Sequence, residues 1–226
     1  MIAAHPFLTA HLGRYPDDND VRQIARLLDE FLPTPAEMAP RSLLVVGPLD
    51  EPLANIIGDL GYDTWGIDLK PYNTGPWVLP ECSTPRYHHV ESDFLRADIT
   101  MHGFGAAVSV STIEHMGLWQ LAGPDQRDFY GDVWATRRIH NLLSPGGLCF
   151  LTVPAGVSNL DDPTRAGDWR RYSEADLRNR LFGPFAVRRL EYWWTSIRTG
   201  QGRATEADVK TYKESADLSA VAVLEK

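Results

Sequence analysis

Two residues at opposite ends of one stretch could share a ligand. Gly47 closes the apolar run "SLLVVG" (42–47), and Asp68 closes a second run 21 residues later. In doubly wound folds an acid at about this distance hydrogen-bonds the ribose hydroxyls of a nucleotide-type ligand. The same acid also suits an ordinary turn before "KPYN". Between them, Pro48, Leu49, Asp50 and Glu51 lead into a helix. A pyrophosphate at a helix start needs close backbone approach and positive partial charge. Asp50 and Glu51 repel it, and neither G-x-G-x-x-G nor G-x-x-x-x-G-K is present. A ligand with a cationic centre and an ammonium group tolerates these acids, and S-adenosyl-L-methionine is one. Asp50 alternatively reads as a plain N-cap, with Pro52 in the first helical turn.

Glu114 and His115 are the next chemical pair. A histidine titrates near neutrality and can take a proton from a hydroxyl or amine. The pair can equally brace a loop, and it lacks a clear third partner for a metal site. "GDWRRYSE" (167–174) brings together Trp169, Arg170, Arg171 and Tyr172, which suit a planar or anionic substrate. A surface loop with Trp169 packed down explains it as well. Trp119 and Tyr130 fall in a loop that could cover such a site. His88-His89 reads as a strand start.

The elements that must carry these residues alternate. A helix is predicted over 19–32, with Val21, Ile24, Leu28 and Phe31 at helical spacing and Pro33 and Pro35 as stops. Strands follow at 42–47, 63–69, 87–93, 106–112 and 148–154. Helices are predicted over "EPLANIIGDLG" and "DVWATRRIHNLL", with Gly61 and Pro-Gly-Gly as stops. Ser173 caps a short helix, with Asp176 in capping-box position. "FAVRRLEYWW" and "LSAVAVLE" are the sixth and seventh strands, with a helical "TEADVKTYKES" between them. Strands separated by helices predict a mostly parallel sheet with helices on both faces. Ligands of such a sheet sit at the carboxyl ends of its strands.

In this order the segments resemble a class I S-adenosylmethionine-dependent methyltransferase over roughly residues 42 to 192. "LLVVGPLDEPLANIIGDLGYDTWGIDLKPY" is similar to the family's glycine loop, helix and acidic second strand. "HHVESDF", "FGAAVSVSTIEHMGL", "IHNLLSPGGLCFLTVPAG" and "WRRYSEADLRNRL" resemble its later segments. The resemblance implies a Rossmann-like α/β fold, doubly wound, with seven strands and the last antiparallel. It implies S-adenosyl-L-methionine as cofactor. Gly47, with Pro48, Leu49 and Asp50, would meet its methionine part. Asp68, with Leu69 beside it, would take the ribose hydroxyls. Asp93 would accept from the adenine amino group, with Phe94 beside the ring. Ser111 and Thr112 would line the pocket near the sulfonium. Two family glycines are replaced by Leu49 and Glu51, and the fourth strand's "F-D" is Phe104-Gly105.

Composition narrows the partners. The chain has 226 residues, 43% hydrophobic and 23% charged, with net charge -8. Only four lysines argue against nucleic-acid backbone and anionic membrane. Two cysteines make no disulfide framework, and Cys149 reads as core. No basic leader or membrane-length apolar run is seen, so a cytoplasmic protein is expected. The expectation is one domain, with 1–40 a helical lid or homodimer segment and 41–226 the core. Its activity would be methyl transfer to a small-molecule acceptor, oxygen slightly preferred over nitrogen, with His115 as base and Glu114 assisting. Alternatives are a methyltransferase-like binding protein that has lost catalysis, or non-methyl chemistry on the same fold.

Overall fold

Short runs of Val, Leu, Ile and Ala bury both faces, so they become interior strands. The computed structural model describes residues 19–48, 53–69, 85–100, 103–118, 128–160, 169–194, 202–213 and 218–226. The strands are β1 (Ser42–Val46), β2 (Asp63–Asp68), β3 (Tyr87–Glu91), β4 (Phe104–Val110), β5 (Leu143–Pro154), β6 (Ala186–Trp194), β7 (Gly202–Ala204) and β8 (Leu218–Glu225). The helices are α1 (Asn19–Phe31), α2 (Leu53–Asp59), α3 (Gly131–Leu142), α4 (Glu174–Asp176) and α5 (Glu206–Thr211). A 3₁₀ turn covers Ile113–His115, and a π turn at Leu177–Leu181 extends α4.

The strands form one sheet in the order β3-β2-β1-β4-β5-β8-β6-β7. Strands β1 to β5 pair in parallel, and β8 inserts antiparallel between β5 and β6. The chain winds outward from β1 to β3, then returns to β4 on the other side of β1. In sheets with such a reversal, ligands bind at the carboxyl ends of the two strands that flank it, here β1 and β4. The sheet has eight strands where seven were expected. The extra one, β7, is a three-residue edge strand paired with Tyr192–Trp194. Three residues carry no periodicity to read.

Each sheet face has its own core. One face packs α3 and the π turn after α4 through Ala135, Ile139, Leu142, Leu177 and Leu181. The other packs α1 and α2 through Ile24, Leu27, Leu28, Leu53 and Ile57. Burying each such side chain contributes ~1.5–3 kcal/mol, far more than a 13-residue helix gains alone. Arg26 of α1 also reaches Glu191 on β6 at 2.5 Å and lies over Trp193. The described part of 1–40 thus packs as a layer against the core. Residues 1–18 lie outside the described residues. Cys149 is buried in the core, where burial pushes its thiol up to about 12. Both capping boxes, at Ser173/Asp176 and Thr205/Asp208, are formed. Gly105 also has a local reason: a β-carbon there would run into the Pro40 carbonyl and the Met38 side chain.

Candidate functional site

The ends of β1 and β4 meet at one corner. Gly47 sits just past β1 with φ +73, which L side chains rarely adopt. Its N–H donates to the Ile67 carbonyl on β2 at 2.9 Å. A β-carbon at Gly47 would fall inside the Thr112 side chain, so glycine is required twice over. Thr112 follows β4 and donates its hydroxyl back to the Val110 carbonyl at 2.8 Å. Ser111, between them, holds φ +42, the left-handed region, without being glycine. Asp68 is half-buried at the end of β2, and Leu69 beside it is exposed. Gly47, Asp68, Ser111 and Thr112 thus share the carboxyl edge. Pro48 is buried behind it, whereas Leu49 and Asp50 lie outside the described residues.

At β3 the picture differs. Asp93 is half-buried, accepts from the Leu95 N–H at 2.9 Å, and pairs with Arg96 at 3.6 Å. Phe94, expected beside an adenine ring, is buried in the core. Arg138 lies over its face at 5.5 Å and holds the Leu95 and Ala97 carbonyls. Arg138 thus occupies that face of Phe94. Trp65 and His88 stack at 4.5 Å, and His88 contacts Asp63 at 3.0 Å. This accounts for His88 by packing and a hydrogen bond between β3 and β2.

Glu114 and His115 differ in burial. His115 is one-third exposed on its side chain (34%), whereas Glu114 is 1% exposed. Burial, followed by the nearby Asp20, pushes the Glu114 carboxyl well above the usual carboxylate range. Its own backbone N–H and Arg170 only partly oppose this. Glu114 is therefore an internal acid whose burial favours the protonated form. His115 Nε2 lies 3.8 Å from Glu114 Oε1.

The aromatic-and-arginine segment is mostly internal too. Arg170 is fully buried, and its guanidinium donates to the carbonyls of Glu114, Met116, Asp128 and Phe129 at 2.7–3.2 Å. It staples the turn after β4 to the start of α3. Tyr172 is fully buried and donates to Asp132 at 2.9 Å. Arg171 is tied to the Val157 carbonyl at 2.7 Å. Arg170 and Tyr172, expected with Arg171 to contact substrate, are thus buried with partners inside the protein. Trp169 remains half-buried with Arg171 over it at 5.8 Å, and Trp119 lies outside the described residues. Tyr130 is exposed at the N-terminus of α3.

Three residues that spacing did not single out organise this region. Asp132, fully buried in the first turn of α3, receives Arg180 through two donors at 2.7 and 2.8 Å, besides Tyr172. Arg170 Nε stands 3.8 Å from it. Asp20, in the first turn of α1, accepts the hydroxyls of Ser111 at 2.9 Å and Ser219 at 3.1 Å. The partners are 48, 91 and 199 positions apart. No local pattern links residues that distant. Among the described residues no cluster of three or more His, Cys, Asp or Glu could hold a metal ion. None of their helices is long and apolar enough to cross a membrane.

No protein-family model matches the chain, and no curated protein matches it. Solved structures do. A 1,6-didemethyltoxoflavin-N1-methyltransferase from Burkholderia thailandensis, with bound S-adenosylhomocysteine, is 17% identical with TM-score 0.61, over 96% of this chain and 83% of its own. The N-methyltransferase NodS from Bradyrhizobium japonicum, also with S-adenosylhomocysteine, is 14% identical with TM-score 0.58, over 97% and 98%. A TehB-like SAM-dependent methyltransferase from Corynebacterium glutamicum is 17% identical with TM-score 0.54, over 96% and 93%. The chain therefore has the Rossmann-like fold of class I methyltransferases, with a mostly parallel sheet and antiparallel C-terminal strands.

Proposed function

We propose that this protein is a methyltransferase that uses S-adenosyl-L-methionine and acts on a small-molecule acceptor. The observation that carries the reading is the carboxyl edge of the sheet. A glycine-only turn after β1, an acid ending β2 and two hydroxyl residues after β4 stand together at the topological reversal. The Burkholderia and Bradyrhizobium structures of the same fold hold S-adenosylhomocysteine.

The residues present fit such a cofactor at these points. Asp68, half-exposed at its strand end, has the two acceptor oxygens that a pair of ribose hydroxyls needs. The Gly47 turn offers backbone without a side chain. Ser111 and Thr112 form the wall beside it. Asp93 would take the adenine amino group. When bound, the cofactor supplies an electrophilic methyl group on a sulfonium. The chain's own part is to align the acceptor and exclude water, which accounts for much of the barrier in such transfers. His115 accepts the acceptor's proton, from a hydroxyl or an amine. Trp169 and Trp119 would contact the acceptor. The charge of -8 disfavours nucleic acid as that acceptor.

Titration calorimetry with S-adenosylmethionine and S-adenosylhomocysteine tests the reading. Binding is expected, and Asp68→Ala should weaken it by a few kcal/mol, because charge-assisted bonds to the ribose are lost. A folded protein that binds neither ligand refutes the proposal. Binding of the cofactor with no methyl transfer to any hydroxyl or amine acceptor would favour a binding protein of this fold. The replacement of two loop glycines by Leu49 and Glu51 motivates that second reading.

A further inference from the structure

Ser111 is the described non-glycine residue with positive φ, and it stands at the corner of the site. A serine in the left-handed region persists only where its surroundings over-determine it. Three bonds do so here. The Ser111 N–H donates to both the carbonyl and the hydroxyl oxygen of Thr152 on β5, at 3.2 and 2.9 Å. Its own hydroxyl donates to Asp20 Oδ2 at 2.9 Å. The first two hold the backbone from the neighbouring strand. The third comes from another layer of the protein, helix α1.

We propose that Asp20 is a positioning residue of the site: its carboxylate clamps Ser111 in the left-handed conformation and thereby sets Thr112 against Gly47. The inference rests on the cofactor reading above. The same Oδ2 accepts the Ser219 hydroxyl at 3.1 Å. One oxygen therefore joins the end of β4 to the start of β8, across the strand that lies between them. Asp20 is itself buried at 8% exposure, so this bond is made away from bulk water and is not diluted by it. Thr112 follows Ser111 directly, and its side chain fills the space that a β-carbon of Gly47 would need. A Ser111 relaxed to an ordinary negative φ would redirect the chain at Thr112. The wall beside the β1 turn would move with it. Glu114, the second acid near Asp20, is fully buried and is pushed toward its protonated form. The N-terminal helix thus acts on the cofactor corner through a serine, without touching the ligand.

The test is a double-mutant cycle read by S-adenosylhomocysteine affinity. Asp20→Ala in the wild-type background should weaken binding by about ten- to a hundredfold, the range for a lost hydrogen bond to a charged group. Asp20→Asn keeps an acceptor oxygen and the shape, so it should recover most of that loss. In a Ser111→Gly background the clamp is dispensable, because glycine holds positive φ unaided. There Asp20→Ala should change affinity less than about threefold. An equal loss in both backgrounds would mean that Asp20 merely supports the fold, and it overturns the proposal. If Asp20→Ala does not fold, Ser111→Ala removes the clamped hydroxyl with Asp20 in place and should weaken binding comparably, while Ser111→Gly should not; equal affinity of Ser111→Ala and wild type overturns the proposal. A wild-type chain that binds no S-adenosylhomocysteine sinks the cofactor reading and this inference together. A wild-type chain that binds, with Asp20→Ala binding equally well, sinks this inference alone.

Discussion

Replacing Arg170 with methionine separates a substrate contact from an internal staple. The guanidinium is fully buried and donates to four carbonyls between 2.7 and 3.2 Å. Bonds to a charged group contribute ~1.5–3 kcal/mol each, so the gross loss is about 6–12 kcal/mol. Two effects offset it. Removing the arginine also removes its own desolvation cost, of several kcal/mol. Asp132 is not orphaned either, since Arg180 still reaches it through two donors. The net destabilisation should be about 3–5 kcal/mol, the range for breaking a buried charged contact. For a chain of this size that lowers the melting temperature by roughly 6–20 °C. Urea and thermal unfolding read this directly. Arg170→Lys should recover little, because a single ammonium cannot span four carbonyls as a planar fork does. A methionine variant of wild-type stability that loses acceptor affinity would refute the reasoning. The guanidinium would then face the ligand after all.

Two further predictions follow from the same geometry. Gly47→Ala should cost ~1 kcal/mol for its positive φ and ~1–3 kcal/mol more for overpacking against Thr112. Adding Thr112→Ala should restore only the second part, and urea midpoints that show no rescue would sink the steric account. Glu114→Gln should change the pH dependence of stability. The Glu114 pKa is raised from 4.5 on folding, so its proton-linked stability is full below that value and is lost as pH rises through the folded pKa. The glutamine variant escapes that loss and should gain on wild type between pH 5 and 8. A wild-type-minus-variant difference that stays flat over this range would refute it.

The legible part of the fold was carried by periodicity. Predominantly apolar runs marked β1, β4, β5 and β8, and 3.6-residue spacing marked α1, α2 and α3. Both signals are local, because a strand or helix face is written into neighbouring residues. Gly47 and Asp68 were legible for a related reason: they terminate strands, and the alternating pattern already fixes which ends of a parallel sheet gather. Ser111 and Thr112 were named only through the resemblance to the methyltransferase family. The short edge strand β7 was not legible, since pairing with β6 alone makes it a strand.

The roles of the charged and aromatic residues were decided elsewhere. "WRRY" and "EH" carry the same letters whether they face a ligand or a core. Tertiary packing buried Arg170, Tyr172 and Glu114 and left His115 and Trp169 partly exposed. It placed Asp20 beside a serine 91 positions away, and gave Phe94 a partner in Arg138 rather than an open face. The sequence by itself determined the order of strands and helices, and therefore which turns line the carboxyl edge. Only the tertiary structure decided which polar groups reach that edge, because the cost of burial depends on partners far away in the chain.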